Sequence, residues 1–169
     1  MSCEIRSILL VEDDPRDVEL TLAGLAEHHL ANRVVVARNG EEALDYLYRR
    51  GKFSSHSGGP PIVVLLDIKM PKVSGLEVLR AIKADDQLKS IPVVVLSSSR
   101  ETPDLTECYR NGVNAYVVKP VDFADFMQAI KQVGLFWAAV NAPPPDVLEK
   151  QLLEVPATDE AVVPGKDAV

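Results

Sequence analysis

At 169 residues and a net charge of −7, the chain is long enough for one domain with a real core and too acidic for a nucleic-acid binder; no basic cluster reverses that locally. No apolar run approaches a membrane span, and the polar start Met1-Ser2-Cys3-Glu4 does not read as a signal peptide. Two distant cysteines, Cys3 and Cys108, have neither metal-ligand nor redox spacing, which suits a reducing cytoplasm.

Ile8 to Val11 is a short apolar run that reads as a buried strand, and it ends in Glu12-Asp13-Asp14-Pro15. Adjacent carboxylates repel one another and need a reason. A helix N-terminus with Asp14 as cap and Pro15 as first residue explains Asp14. It explains Glu12 and Asp13 poorly, because they precede the cap. Converging carboxylates are the usual way to hold a hard divalent cation such as Mg²⁺. Asp17 to His29 carries Val18, Leu22 and Leu25 at helical spacing, and Arg33 to Ala37 is a short strand. After a turn at Asn39-Gly40, Glu41 to Arg50 reads as a helix with Ala43, Leu44 and Leu47 inward. His28, His29 and His56 have no ligand pattern and read as surface histidines. Gly51 to Pro61 is rich in Gly, Ser and Pro and reads as a flexible loop.

Ile62 to Leu66 is a continuous β-branched and aliphatic run that stops at Asp67, followed by Ile68-Lys69-Met70-Pro71 and Gly75. Asp67 is placed just past a strand end, where open α/β sheets carry their chemistry, unless it merely caps the next helix. Ser74 with Glu77 is the better cap, since the two make a capping box ahead of Leu76, Leu79 and Ile82. Ile91 to Leu96 is the fourth strand and runs into Ser97-Ser98-Ser99. Thr102 opens a short helix that closes at Asn111-Gly112, with Gly112 suited to a left-handed position. Ala115 to Val118 is the fifth strand and ends in Lys119-Pro120. Asp122 caps a last helix with Phe126, Ile130, Val133 and Trp137 on one face.

Five alternations of strand and helix predict a doubly wound α/β fold, a five-stranded parallel sheet with helices on both faces. Its strand ends gather Glu12, Asp13, Asp67, Ser97 and Lys119 at one edge. The periodic pattern decays from Ala139, and Pro143-Pro144-Pro145 cannot continue a helix. Residues 1–138 therefore read as one domain. Residues 139–169 read as a proline-containing arm, one helical stretch over Asp146 to Leu153, and an acidic tail expected to be disordered. Val133, Leu135, Phe136 and Trp137 put more apolar surface at the end of the last helix than one core-facing stripe uses, which predicts a homodimer through that helix and the arm.

The motifs Leu9-Leu10-Val11-Glu12-Asp13-Asp14, Leu65-Leu66-Asp67-Ile68-Lys69-Met70-Pro71 with Gly75, Pro92 to Ser97, and Tyr116-Val117-Val118-Lys119-Pro120 together closely resemble a response-regulator receiver domain of two-component signalling, over roughly Arg6 to Trp137. The resemblance implies a flavodoxin-like receiver fold. It implies Asp67 as phosphoacceptor, Mg²⁺ held by Asp13, Asp67 and the Lys69 backbone carbonyl with Glu12 acting through a water, and a Ser97 hydroxyl bonded to the phosphoryl group. Lys119 would pair with that group, the Lys119-Pro120 peptide would be cis, and Tyr116 would change rotamer on activation. Ser97 stands where Thr is commoner, so the hydroxyl survives without the methyl. Small Ser98 leaves the approach to the phosphoryl site open. The long loop before the central strand and the Phe136-Trp137 ending carry a second, weaker likeness to the small regulators that serve phytochrome-type histidine kinases.

The implied function is a stand-alone regulator that takes a phosphoryl group from a sensor histidine kinase and works through protein contacts or a downstream phosphotransfer protein. An aspartyl-nucleophile phosphohydrolase would want an acid two residues after Asp67, where Lys69 stands. A nucleotide or flavin module would want a Gly-rich phosphate loop after the first strand, and none is present. A pseudo-receiver that binds partners without phosphorylation would not need the intact acid pair, Asp67, Ser97 and Lys119.

Overall fold

A computed structural model of the protein describes residues 6–144. Cys3, the expected helix Asp146 to Leu153 and the acidic tail lie outside those residues. Strands β1 (Ile8–Val11), β2 (Val34–Ala37), β3 (Val63–Leu66), β4 (Val93–Ser97) and β5 (Ala115–Val118) form one parallel sheet in the order β2-β1-β3-β4-β5. Helices α1 (Pro15–Ala26), α2 (Gly40–Leu47), α3 (Gly75–Ala84), α4 (Thr102–Arg110) and α5 (Phe123–Leu135) connect and follow the strands. The expected five-stranded α/β architecture is therefore present. A parallel sheet needs crossover helices, and those helices bury both faces, which is why β1 and β3 are apolar at every position.

Strand alternation splits the core into two layers. Leu9, Val11, Val64, Leu66, Val93 and Val95 face α2, α3 and the Cys108 side of α4. Ile8, Leu10, Val63, Leu65, Val94 and Leu96 face Val18 and Leu25 of α1 and Phe126 and Ile130 of α5. The two layers are completed by the edge strands, whose residues are mostly half-buried.

The helix starts follow local chemistry. Asp14 accepts from the Arg16 amide at 2.8 Å, so α1 begins at Pro15, earlier than the apolar spacing alone predicts. Asn39 caps α2, and Ser74 with Glu77 forms the expected capping box at α3. Asp122 caps α5, and Gly112 closes α4 in the left-handed region at φ 82°. The turn between β3 and α3 relies on Lys72 at φ 64°, a left-handed residue that the sequence does not announce.

Two expectations change. The loop from Gly51 to Pro61 contains a 3₁₀ turn at Gly51–Phe53 and is tied down: the Tyr46 hydroxyl bonds Ser7 and reaches His56 Nε2 at 3.3 Å, while Phe53 packs edge-on to the Tyr46 ring. His56 is thus a packed histidine, and His28 Nε2 is buried without a hydrogen-bond partner among the described residues. At the other end, α5 runs on as a π-helical turn, Phe136–Val140, past the point where the sequence pattern decays. Trp137 packs on the α1/α5 layer, whereas Leu135, Phe136 and Val140 remain exposed.

Gly75 sets the distance between α3 and the end of β3. A Cβ there would lie 2.0 Å from the Asp67 carbonyl oxygen, a backbone atom that cannot step aside. At Gly134 the Cβ would meet the Leu25 Cδ2 at 2.3 Å, the end of a side chain that can rotate. Gly75→Ala should therefore cost about 2–3 kcal/mol or more by urea denaturation, and Gly134→Ala clearly less. Equal losses would mean that the β3–α3 turn yields as easily as a leucine methyl.

Candidate functional site

The register of the sheet assembles the site. Val11 pairs with Leu66, and the ladder continues one step beyond the strands as the Asp67 amide donates to the Val11 carbonyl at 3.0 Å and the Lys119 amide to the Ser97 carbonyl at 2.8 Å. The residues that follow the apolar runs of β1, β3 and β5 therefore emerge at the same carboxyl edge. Alternation then sorts them. Glu12, Asp67 and Lys119 continue the parity of Leu10, Leu65 and Val117 and fall on the α1/α5 side. Ser97 continues Val93 and Val95, and Tyr116 packs on the α3/α4 layer.

Lys119 is the charge centre. Its Nζ donates to Glu12 Oε2 at 2.6 Å and to Asp17 Oδ2 at 2.7 Å, and stands 3.6 Å from Asp67 Oδ2. Only 10% of the lysine side chain and 4% of the Glu12 side chain are exposed. Burial pushes the Glu12 carboxyl up to about 7, against the opposing hydrogen bond and charge of Lys119. Burial also raises Asp67, again against Lys119. For Lys119 burial works against the ammonium, but hydrogen bonds to Asp17 and Glu12 and the Asp67 charge outweigh it and hold the group above its ordinary value. One ammonium thus balances several half-desolvated acids, and the site is short of positive charge.

Glu12, Asp13 and Asp67 each bring a carboxylate oxygen within 4.8 Å of the others. Hard oxygen donors at that mutual distance, in an under-compensated pocket, fit a divalent cation of the Mg²⁺ class. Lys69, expected to contribute its carbonyl, lies beside the cluster through its amide, which donates to Asp67 Oδ1 at 3.4 Å. Asp14 faces away as the α1 cap while its amide donates to Glu12 Oε1 at 3.1 Å, so its role is capping. Asp67 does not cap α3, because Ser74 does.

Ser97 and Tyr116, the residues expected to switch, are connected on the other side of the sheet. Ser97 is fully buried, and its Oγ accepts from the Ser99 amide at 3.1 Å. The Tyr116 hydroxyl donates to the Ser99 carbonyl at 3.0 Å. Ser99 Oγ in turn bonds Asp104 of α4, which stands 3.9 Å from the Lys69 ammonium. The Lys119-Pro120 peptide is trans, as are all peptide bonds among the described residues; this corrects the cis geometry that the resemblance implied.

Sequence reasoning missed Asp17, Ser99 and Asp104. Asp17 lies in the first turn of α1, where an acid already has a local reason to be, so the sequence did not tie it to Lys119. Ser99 follows Ser97 at the strand period of two. Asp104 sits in the first turn of α4, where an acid has a local reason to be, so nothing in the sequence singled it out. A cavity of about 400 Å³ opens beside Lys119, walled by Asp17, Ser98 and Phe126. A larger cleft of about 730 Å³ lies at the amino edge of the sheet among Arg80, Lys83 and Arg110, away from this chemistry. There Lys83 is spent on backbone and Asn114 acceptors, and Arg80 on Glu107.

This sheet order, with acids at the carboxyl ends of β1 and β3 and an ammonium at that of β5, defines a flavodoxin-like fold of the receiver type. Residues 8–131 match the response regulator receiver domain, and the chain belongs to that family. Response regulator Rcp1 of Synechocystis is 34% identical over 130 residues, 77% of this chain and 87% of Rcp1. The Mn²⁺-bound form of Rcp1 superposes with a TM-score of 0.77 at 32% identity, over 83% of this chain and 99% of that one. The phosphorylated cyanobacterial phytochrome response regulator RcpA is 38% identical, with a TM-score of 0.78 over 83% of this chain and 99% of RcpA. The bacteriophytochrome response regulator AtBRR is 59% identical, with a TM-score of 0.66 over 82% of this chain and 99% of AtBRR. No helix among the described residues is long and apolar enough to cross a membrane.

The raised Glu12 carboxyl has a definite pH signature. The folded protein keeps that proton to about 7, whereas the unfolded chain loses it near 4.5. The folded state therefore binds more protons between those values, and stability falls as pH rises through them. In chelator-containing buffer, the stability of the wild type relative to Glu12→Gln should drop between pH 4.5 and 7, by up to about 3 kcal/mol. A difference that stays constant across that range would show that Glu12 titrates as an ordinary carboxylate.

Proposed function

We propose that this regulator accepts a phosphoryl group from a sensor histidine kinase on Asp67, with Mg²⁺ in the Glu12, Asp13 and Asp67 cluster, and that the Ser97–Tyr116 side of the sheet converts the event into altered protein contacts. The observation that carries this is the acid cluster, closed to within 4.8 Å and bordered by one buried ammonium. An Asp67 oxygen forms the new P–O bond as the donor's bond to phosphorus breaks, and the departing histidine nitrogen regains its lone pair and takes up a proton. The bound cation would offset the repulsion between the attacking carboxylate and the phosphoryl oxygens. Asp13 and Asp67, with the Lys69 carbonyl, would hold it directly, and Glu12 through a water. Lys119 stands ready to pair with an equatorial oxygen. Ser97 would turn its hydroxyl from the Ser99 amide to the phosphoryl group, and Tyr116 would leave the Ser99 carbonyl and swing inward.

The same groups would let the protein promote its own phosphorylation and dephosphorylation, without a separate enzymatic domain. Similarity to the phytochrome response regulator RcpA and the bacteriophytochrome response regulator AtBRR favours a phytochrome as the kinase; the setting would be cytoplasmic and the output would run through protein contacts or a further phosphotransfer protein. Residues 1–138 would form the receiver and 139–169 its arm and tail. Phosphate-affinity electrophoresis with Mg²⁺ and acetyl phosphate should show one shifted band for the wild type and none for Asp67→Asn. A shifted band that persists in the variant would move the chemistry to another residue.

A homodimer is part of the proposal. Leu135, Phe136 and Val140 are exposed together at the end of α5, and Arg6 bonds the Pro144 carbonyl at 3.0 Å, which directs the outgoing chain across the foot of β1. Apolar side chains grouped in this way are suited to a partner copy. Light scattering should report a dimer at micromolar concentration for the full chain and a monomer for Phe136→Glu. A wild type that runs as a monomer would end the dimer idea.

A further inference from the structure

Lys119 pairs with three carboxylates among the described residues, Glu12, Asp17 and Asp67. Two of them, Glu12 and Asp67, belong to the acidic cluster that fits a divalent cation; Asp17 does not. We propose that Asp17 is a positioning residue for Lys119: it is the partner that holds the ammonium in place while Glu12 and Asp67 are engaged elsewhere. The proposal rests on the phosphoacceptor reading of Asp67.

The placement of Asp17 suits a fixed anchor. It is the third residue of α1, whose start is set by the Asp14 cap and by Pro15. Its carbonyl accepts from Thr21 Oγ1 at 2.7 Å, which ties its backbone into the next turn. An acid in a first turn normally needs no partner beyond the helix dipole, and usually stays in solvent. Asp17 instead reaches across to β5 and meets Lys119 at 2.7 Å with 29% of its side chain exposed. It therefore approaches the ammonium from the solvent side, beside Ser98, at the wall of the cavity through which a phosphodonor would come.

The donor count then constrains the exchange. An ammonium has three N–H groups. One serves Glu12 and one serves Asp17, while Asp67 Oδ2 at 3.6 Å is too far for a hydrogen bond. Extra oxygens carried on Asp67 would fall inside that gap without translation of Nζ. Glu12 would give up its N–H on turning to the cation cluster. Asp17 has no competing ligand, so it alone keeps Lys119 aimed at Asp67. Without it, an ammonium on a four-carbon stem would be free to turn towards the cavity.

Two measurements test this on the full chain. The first is the ¹⁵N signal of the Lys119 ammonium group. In wild type it should remain sharp when Mg²⁺ is added, and in Asp17→Asn it should broaden or vanish on the same addition. A signal that survives Mg²⁺ in Asp17→Asn overturns the proposal. The second is the maximal rate of phosphorylation by phosphoramidate at saturating Mg²⁺. Asp17→Asn should lower it about tenfold, leave the donor KM unchanged, and be partly rescued by Asp17→Glu. In a Lys119→Ala background the same substitution should cost nothing further. An equal loss in both backgrounds would assign Asp17 a through-space charge effect and refute the positioning role. A wild type that takes up no phosphoryl group would refute the phosphoacceptor reading instead, and the ammonium signal would still decide whether Asp17 holds Lys119.

Discussion

The ion pair of Lys119 with Glu12 and Asp17 is the interaction on which the carboxyl edge depends. It links the end of β5 to the end of β1 and to the first turn of α1, across β3 and β4. Buried charges are costly to bring out of water, and a buried pair stripped of one partner typically loses about 3–5 kcal/mol. Here the balance is deliberately incomplete. Several acids share one ammonium, so the folded chain carries an electrostatic debt that a divalent cation would settle. Stability and cation affinity are therefore set by the same side chains, in opposite directions.

The geometry of a parallel sheet also explains how one edge reaches both layers of the core. Successive residues of a strand point to opposite layers. Asp67 and Lys119 project to the α1/α5 side, while Ser97, with the same strand edge as its frame, projects with Tyr116 to the α4 side. The Ser99 loop joins the two sides, through the Ser97 hydroxyl, the Tyr116 hydroxyl and Asp104. The buried Ser97 hydroxyl is thereby connected by hydrogen bonds to the first turn of α4.

The exposed apolar end of α5 lies at the opposite pole. Crossover helices run antiparallel to the strands, so α5 starts at Asp122 near the site and ends at Leu135 near the feet of the strands. The Arg6 bond to Pro144 marks the same pole. Gly134 permits the close approach of α5 to Leu25 of α1, and this couples the two helices that flank the charged cluster to the region from which a partner copy would be met.

The sequence by itself determined the strand count, the α/β class and the identity of most site residues, because buried parallel strands must be short, apolar and β-branched, and the first polar residue after each run can only emerge at one edge. Glu12, Asp67, Ser97 and Lys119 were legible for that reason, and the capping residues Asp14, Ser74 and Asp122 because cap chemistry is local. Asp13 followed as the neighbour of Glu12. The tertiary structure alone decided which of these groups touch. Asp17 looked like an ordinary first-turn acid until the packing of the folded chain put it against Lys119. Ser99 and Asp104 became a network only once the β4–α4 loop had folded back. The loop Gly51 to Pro61 looked free because its anchor Tyr46 sits in the preceding helix and is itself held by Ser7, 39 residues away in sequence. Hydrogen bonds and ion pairs between distant segments leave no periodic trace in a chain, whereas burial and capping do, and that difference separates what could be read from what had to be seen.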